Sequence, residues 1–144
     1  MYNVNTKRID QVLQHLEKSI RLLEELTGRG AEQVLADDVA VAAMERALHL
    51  SIEAVIDVGN ALIDGFIMRD PGSYADIVDI LRDEQVIGEE QARLLTKAVE
   101  FRRHLVNEYT SVPVKEMFAL VGEVLDSFRQ FGPVVRAYIE KELF

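Results

Sequence analysis

The sequence predicts an all-α, up-and-down helical bundle of four long helices and one or two short ones, in a single domain over residues 1–144. Three observations lead there. Apolar residues recur at spacings of three and four through most of the chain, no segment alternates with period two long enough to compete as a strand, and the breaks fall between the long helical patterns.

From Asn5 to Leu26, the residues Ile9, Val12, Leu13, Leu16, Ile20, Leu23 and Leu26 form the stripe of an amphipathic helix, with Gly28 and Gly30 as stop signals. A second helix, Asp38 to Phe66, is apolar over most of its circumference, because Val41, Leu48, Ile52, Val55, Ile56, Leu62 and Ile63 cannot share one narrow face. It is expected to be central or doubly covered, and its apolar excess is a motive for a homodimer. Arg69 to Gly72 make a turn, and Ser73 with Asp76 reads as a capping box opening a short helix, Tyr74 to about Asp83. After Gly88, a further helix starts at Glu89 and Glu90, where the helix dipole favours acids, and continues to Tyr109. Pro113 suits a first turn, and Val114, Met117, Phe118, Val121, Val124, Leu125 and Phe128 form the next stripe. Gly132 and Pro133 are expected to kink or restart this helix, leaving a last short one, Val134 to Leu143.

Composition bounds the function. Lys and Arg number 16 against 25 Asp and Glu, a formal charge of −9, and 49% of residues are apolar. A chain of this length buries roughly 70% of its extended surface, so one core needs no staples. Zero Cys excludes disulfides and thiolate zinc sites, and His15, His49 and His104 form no ligand spacing, so neither metal nor cofactor is expected. The longest apolar run, Val39 to Met44, falls far short of the ~18 residues a membrane span needs, and the start MYNVNTKRID has no signal-peptide core. A cytoplasmic location with no membrane partner is the expectation. Global acidity argues against a simple electrostatic nucleic-acid protein, so RNA binding requires a local basic site.

Two constellations bear chemistry. On helix two, Arg46, His49, Glu53, Asp57, Asn60 and Asp64 share one drifting face. They form either the solvent edge of a buried helix or a row of acids facing cations elsewhere; Glu53 and Asp57 one turn apart also suit an acid/base pair. The second constellation is Phe101-Arg102-Arg103-His104-Leu105-Val106-Asn107-Glu108-Tyr109. A guanidinium fork can hold a phosphate in two bonds, imidazole titrates near neutrality, and a phenol can stack or accept a modification. The cluster suits phosphodiester recognition; equally, arginines in a last helical turn complement the dipole, with Tyr109 a hydrophobic anchor.

The run F-R-R-H-L-V-N-E-Y resembles the signature of HepT-like toxins of the HEPN superfamily, F-R-N-x-L-V-H-x-Y. Met44 to Ala54, Pro71 to Tyr74 and Leu81 to Ile87 are also similar to that family, so the resemblance covers nearly the whole chain. It implies a HEPN-type bundle that dimerises so that two motifs share a cleft, acting as a metal-independent endoribonuclease. It also implies a minimal nucleotidyltransferase antitoxin as partner, which attaches AMP to the motif tyrosine. Carried over, Arg102 is the motif arginine, Arg103 replaces the polar residue after it, Tyr109 is the modified tyrosine, and Asn107 stands where the family has its catalytic histidine.

Asn can donate a hydrogen bond but cannot exchange a proton near neutral pH, and general acid–base help is worth ~10² to 10⁴ in rate. The exchange therefore predicts a weakened or lost ribonuclease, unless His104, about 60° round the same helix, supplies the imidazole. Arg102, His104 and Asn107 are thus the candidate catalytic residues, Arg102 and Arg103 the candidate RNA-phosphate ligands, and Glu53 and Asp57 the acids that could orient them. Three readings stand: a toxin-type module with cleavage weakened or lost, an active ribonuclease using Arg102 with His104 or Asn107, and a purely structural helical dimer.

Overall fold

In a computed structural model, which describes residues 1–144, every regular element is a helix. Helix α1 (Thr6–Arg29) begins where the Asn5 side chain accepts the Arg8 N–H at 3.1 Å. It runs on through Gly28 and stops at Gly30, whose φ of 89° ends the helix in a conformation other residues resist. A one-turn helix, α2 (Ala31–Leu35), follows unanticipated, since five residues are too few to show a period. Helix α3 (Asp38–Gly65) is capped by Asp37, whose carboxylate accepts the Val39 and Ala40 N–H groups. Ser73 opens α4 (Tyr74–Asp83) as a capping residue, accepting the Asp76 N–H at 3.1 Å.

Two segments differ from expectation. The helix expected from Glu89 to Tyr109 is broken into α5 (Glu89–Glu100) and the five-residue α6 (Arg102–Val106), followed by a 3₁₀ turn, Tyr109–Ser111. The His104 N–H donates to the Phe101 carbonyl, an i→i−3 bond that tightens the chain where Phe101 is buried. The last helix, α7 (Val114–Leu143), runs unbroken through Gly132 and Pro133. Pro133 is exposed, so the carbonyl it leaves unpaired lies on the solvent side. Buried Phe128, Phe131, Val135 and Ile139 carry one apolar stripe across it.

The 38 buried apolar side chains form one connected core. Helix α3 runs through its middle, packed against α1, α4 and α7, with α2, α5 and α6 closing the rest. Its apolar circumference is therefore covered within the chain, and the apolar excess that motivated dimerisation is already spent. Along the polar seam, Arg46, Asp57, Asn60 and Asp64 are exposed, while His49 and Glu53 are half-buried under α6. Helix α4 approaches closely at Gly59, where a Cβ would stand 2.4 Å from Ile77 Cγ2. That approach sets α4's first residue, Tyr74, over the start of α6. No helix is long and apolar enough to cross a membrane.

Candidate functional site

The site is built around one guanidinium. The break at Phe101 turns α6 against α3, and Arg102 Nε donates to Glu53 Oε1 at 2.5 Å. The two side chains keep only 21% and 27% of their exposure, so the pair sits at reduced dielectric, and the Glu53 carboxylate holds Arg102 above its ordinary pKa. His49 Nε2 lies 3.4 Å from the same Glu53 oxygen. The Arg102 guanidinium also lies over Tyr74, whose ring centroid is 4.6 Å from the guanidinium carbon. Held by carboxylate and phenol ring, the Arg102 guanidinium makes no other hydrogen bond within the chain, so both Nη nitrogens are free to donate.

Beside it lies an open cleft of about 220 Å³ whose walls include Tyr74, Glu100, Arg102, Arg103 and Asn107. Arg103 is exposed and has no ion pair. His104 is not on these walls: its ring packs 4.8 Å from that of Phe101, and its Nδ1 lies 3.0 Å from Glu108 Oε1. Tyr109 begins the 3₁₀ turn beyond the motif and is 68% exposed. No three His, Asp or Glu side chains are grouped as they would be around a metal ion.

Two comparisons decide the family. A family model described as Ribonuclease HepT-like matches residues 16–135. The Bacillus subtilis protein YutE, which bears a provisional RNase name, is 37% identical over 143 residues, covering 99% of this chain and 95% of its own length. The chain belongs to the HepT-like ribonuclease family of the HEPN superfamily. The solved structure of YutE, described as a cytosolic protein of unknown function, matches with a TM-score of 0.89 at 36% identity, covering 99% of this chain and 96% of that one. A Shewanella oneidensis HEPN toxin, solved tri-AMPylated and in complex with an MNT antitoxin, shares the fold with a TM-score of 0.80 at 23% identity, over 90% of this chain and 96% of its own.

Within this HepT-like fold the expected site residues separate into groups. Arg102 and Glu53 meet directly, and Arg102, Arg103 and Asn107 share one cleft. Asp57 meets neither arginine; it opens on a different groove, between α3 and α1. His104 turns from the cleft towards Glu108. Sequence reasoning missed Tyr74 as a partner of Arg102, since nothing in a 28-residue separation signals a stacking contact. His49 was visible only as a member of the polar seam.

Proposed function

We propose that this protein is a HepT-like HEPN module, one domain over residues 1–144, that grips the phosphodiester backbone of RNA through Arg102 and Arg103 and has lost most of its ribonuclease activity. One observation carries the reading: the cleft that gathers both arginines has Asn107 on its wall and no histidine. Cleavage in this family's chemistry needs the ribose 2′-hydroxyl to attack the adjacent phosphate, with a proton leaving the attacking oxygen and another reaching the departing one. Arg102 is suited to the electrostatic half of that task. With Nε fixed by Glu53, its two Nη groups can present a fork to the phosphate oxygens without first paying the entropy of ordering the side chain. Asn107 can donate to the same phosphate but cannot shuttle protons. An active enzyme using His104 is disfavoured, because that ring is engaged with Phe101 and Glu108 outside the cleft.

In the toxin-type role the partner is a nucleotidyltransferase, and Tyr109 is the acceptor of AMP. Exposure of its phenol at the end of the motif supports this, as does the AMPylated state of the Shewanella toxin. Two copies are read, on the family resemblance alone, as meeting over the face that carries Arg103 and Tyr109, so that both motifs border one RNA path in the cytoplasm.

The test is RNA cleavage in EDTA. Wild type should leave RNA intact or nearly so, and Asn107→His should raise the rate by ~10² to 10⁴ if the missing imidazole is the defect. Sustained wild-type cleavage that vanishes in Arg102→Ala would overturn the reading. Mass spectrometry after coexpression with a nucleotidyltransferase should find AMP on Tyr109, and a monomer mass by light scattering at micromolar concentration would contradict the dimer.

A further inference from the structure

We propose that the groove between α1 and α3 is a guanine-recognition subsite for the RNA strand held at Arg102. The inference rests on the reading of Arg102 as a phosphate ligand, and it adds a source of base specificity that a backbone grip lacks.

The groove has a volume of about 460 Å³ and is lined by Arg8, Gln11 and His15 of α1 and by Glu53 and Asp57 of α3. It adjoins the Arg102 site through Glu53, which forms its wall and at the same time accepts Arg102 Nε. Asp57 is one helical turn further on, about 6 Å along the axis. A nucleotide flanking a phosphate on Arg102 is thus within reach of the groove.

Its charges are left open where many others on the surface are closed. Arg69 closes on Asp76, Arg93 on Glu90, Arg129 on Glu24 and Arg136 on Asp10. Arg8 and Asp57 open on the same cavity, yet neither closes an ion pair, and the side chains of Gln11 and His15 have no hydrogen bond either. Partial desolvation against the groove wall, and secondarily the Glu53 charge, push the Asp57 carboxyl above its ordinary pKa, with Arg8 only partly opposing them. The groove offers this carboxylate fewer donors than it can accept.

One nucleobase supplies what both groups lack. An ionised carboxylate only accepts hydrogen bonds, so it selects an edge with two adjacent donors, and a guanidinium fork selects an edge with two adjacent acceptors. Guanine has both, N1–H with N2–H₂ on one edge and O6 with N7 on the next. Adenine places an acceptor, N1, towards the carboxylate and a donor, the 6-amino group, towards the fork. Cytosine and uracil offer the carboxylate one donor flanked by an acceptor. His15, on the same wall, provides an aromatic face for stacking.

The experiment uses the full chain labelled with ¹⁵N and titrated with guanosine or adenosine 5′-monophosphate, followed by binding of uridine-rich octanucleotides carrying one central G or A. Guanosine monophosphate should shift amides around Arg8 and Asp57 at least tenfold more tightly than adenosine monophosphate, and the G-containing octamer should bind at least tenfold better. Asp57→Asn should abolish both preferences, and Arg8→Ala should weaken guanosine monophosphate. Both positions are exposed, so the variants should fold. Equal response to the two nucleotides, no shift in α1 and α3 at millimolar guanosine monophosphate, or a preference that survives Asp57→Asn overturns the proposal. Failure of the Arg102 reading looks different: Arg102→Ala would leave octamer affinity unchanged, whatever the mononucleotides do.

Discussion

Removing the charge from Glu53 while keeping its shape tests whether Arg102 is held in place before any ligand arrives. The bond is charge-assisted, and such bonds contribute about 1.5–3 kcal/mol net when well protected. Fully exposed pairs contribute about 0–1 kcal/mol. With 21% and 27% of their exposure retained, Arg102 and Glu53 fall between these limits, and a coupling of about 1–2 kcal/mol is expected. For a chain of this size that corresponds to a fall in Tm of about 3–7 °C for Glu53→Gln. Because Glu53 also meets His49 at 3.4 Å, the single variant overstates the pair. A double-mutant cycle with Arg102→Met isolates it, and His49→Gln measured alone reports the second contact. The assay is thermal unfolding of the four proteins of the cycle, with octanucleotide binding as a functional counterpart. Glu53→Gln should weaken RNA binding although residue 53 carries no charge attractive to RNA, because it frees the arginine to wander. A coupling below about 0.3 kcal/mol, or RNA binding that improves once the acid is neutralised, would refute the claim that Glu53 positions Arg102.

Other consequences are simpler to state. Gly59→Ala should lower stability by about 1–2 kcal/mol, since overpacking against buried Ile77 outweighs the gain in helix propensity; Ile77→Ala should cost less in the Gly59→Ala chain than in wild type, as read by urea unfolding. The Arg69 fork and the Gly72 N–H hold the Asp76 carboxyl below its ordinary value, so it stabilises the fold above the unfolded carboxylate pKa, an effect lost as pH falls through the depressed one. Asp76→Asn should therefore lie below wild type near neutrality and converge with it in acid. Arg103→Ala should weaken all RNA sequences alike and reduce the slope of log affinity against log salt by about 0.7, the single-strand value for one phosphate contact.

Helix identity was legible because burial imposes a period, and the stripes of α1 and α7 are that period. What was illegible is where tertiary contacts override local rules. Phe101 breaks a helix with neither Gly nor Pro at hand, because burying its ring and bringing Arg102 to Glu53 fix the turn. Pro133 fails to break one because the buried stripe continues through it and water can reach the freed carbonyl. At the site, the acids of α3 and the arginines of the motif each stood out on their own helices, yet only packing shows that Glu53 reaches Arg102 and Asp57 does not. Arg8, Gln11 and His15 gave no signal at all, since polar residues on the outer face of α1 look the same whether or not a groove lies beneath them.

An acidic protein that binds RNA meets a conflict of ranges, and the conflict can be measured. The net charge of −9 repels a polyanion over distances set by the Debye length, about 30 Å at 0.01 M salt and about 8 Å at 0.15 M. Around the motif, attraction comes from a small set of groups: Arg103, Arg46 and Arg8 without ion pairs, and Arg102 with its charge largely offset by Glu53 but its Nη donors free. At very low salt the long-range term reaches past this patch and opposes approach. At intermediate salt it is screened while contacts at hydrogen-bond distance survive, and at high salt counterion competition weakens the phosphate contacts as well. Affinity for an octanucleotide should thus pass through a maximum between about 0.02 and 0.15 M salt, with the association rate rising on the low-salt limb. A basic RNA-binding protein shows only the falling limb. Measured association rates that decline monotonically from 0.01 M salt upward would mean that the patch dominates the far field, and that the acidic residues lie where an approaching strand never senses them.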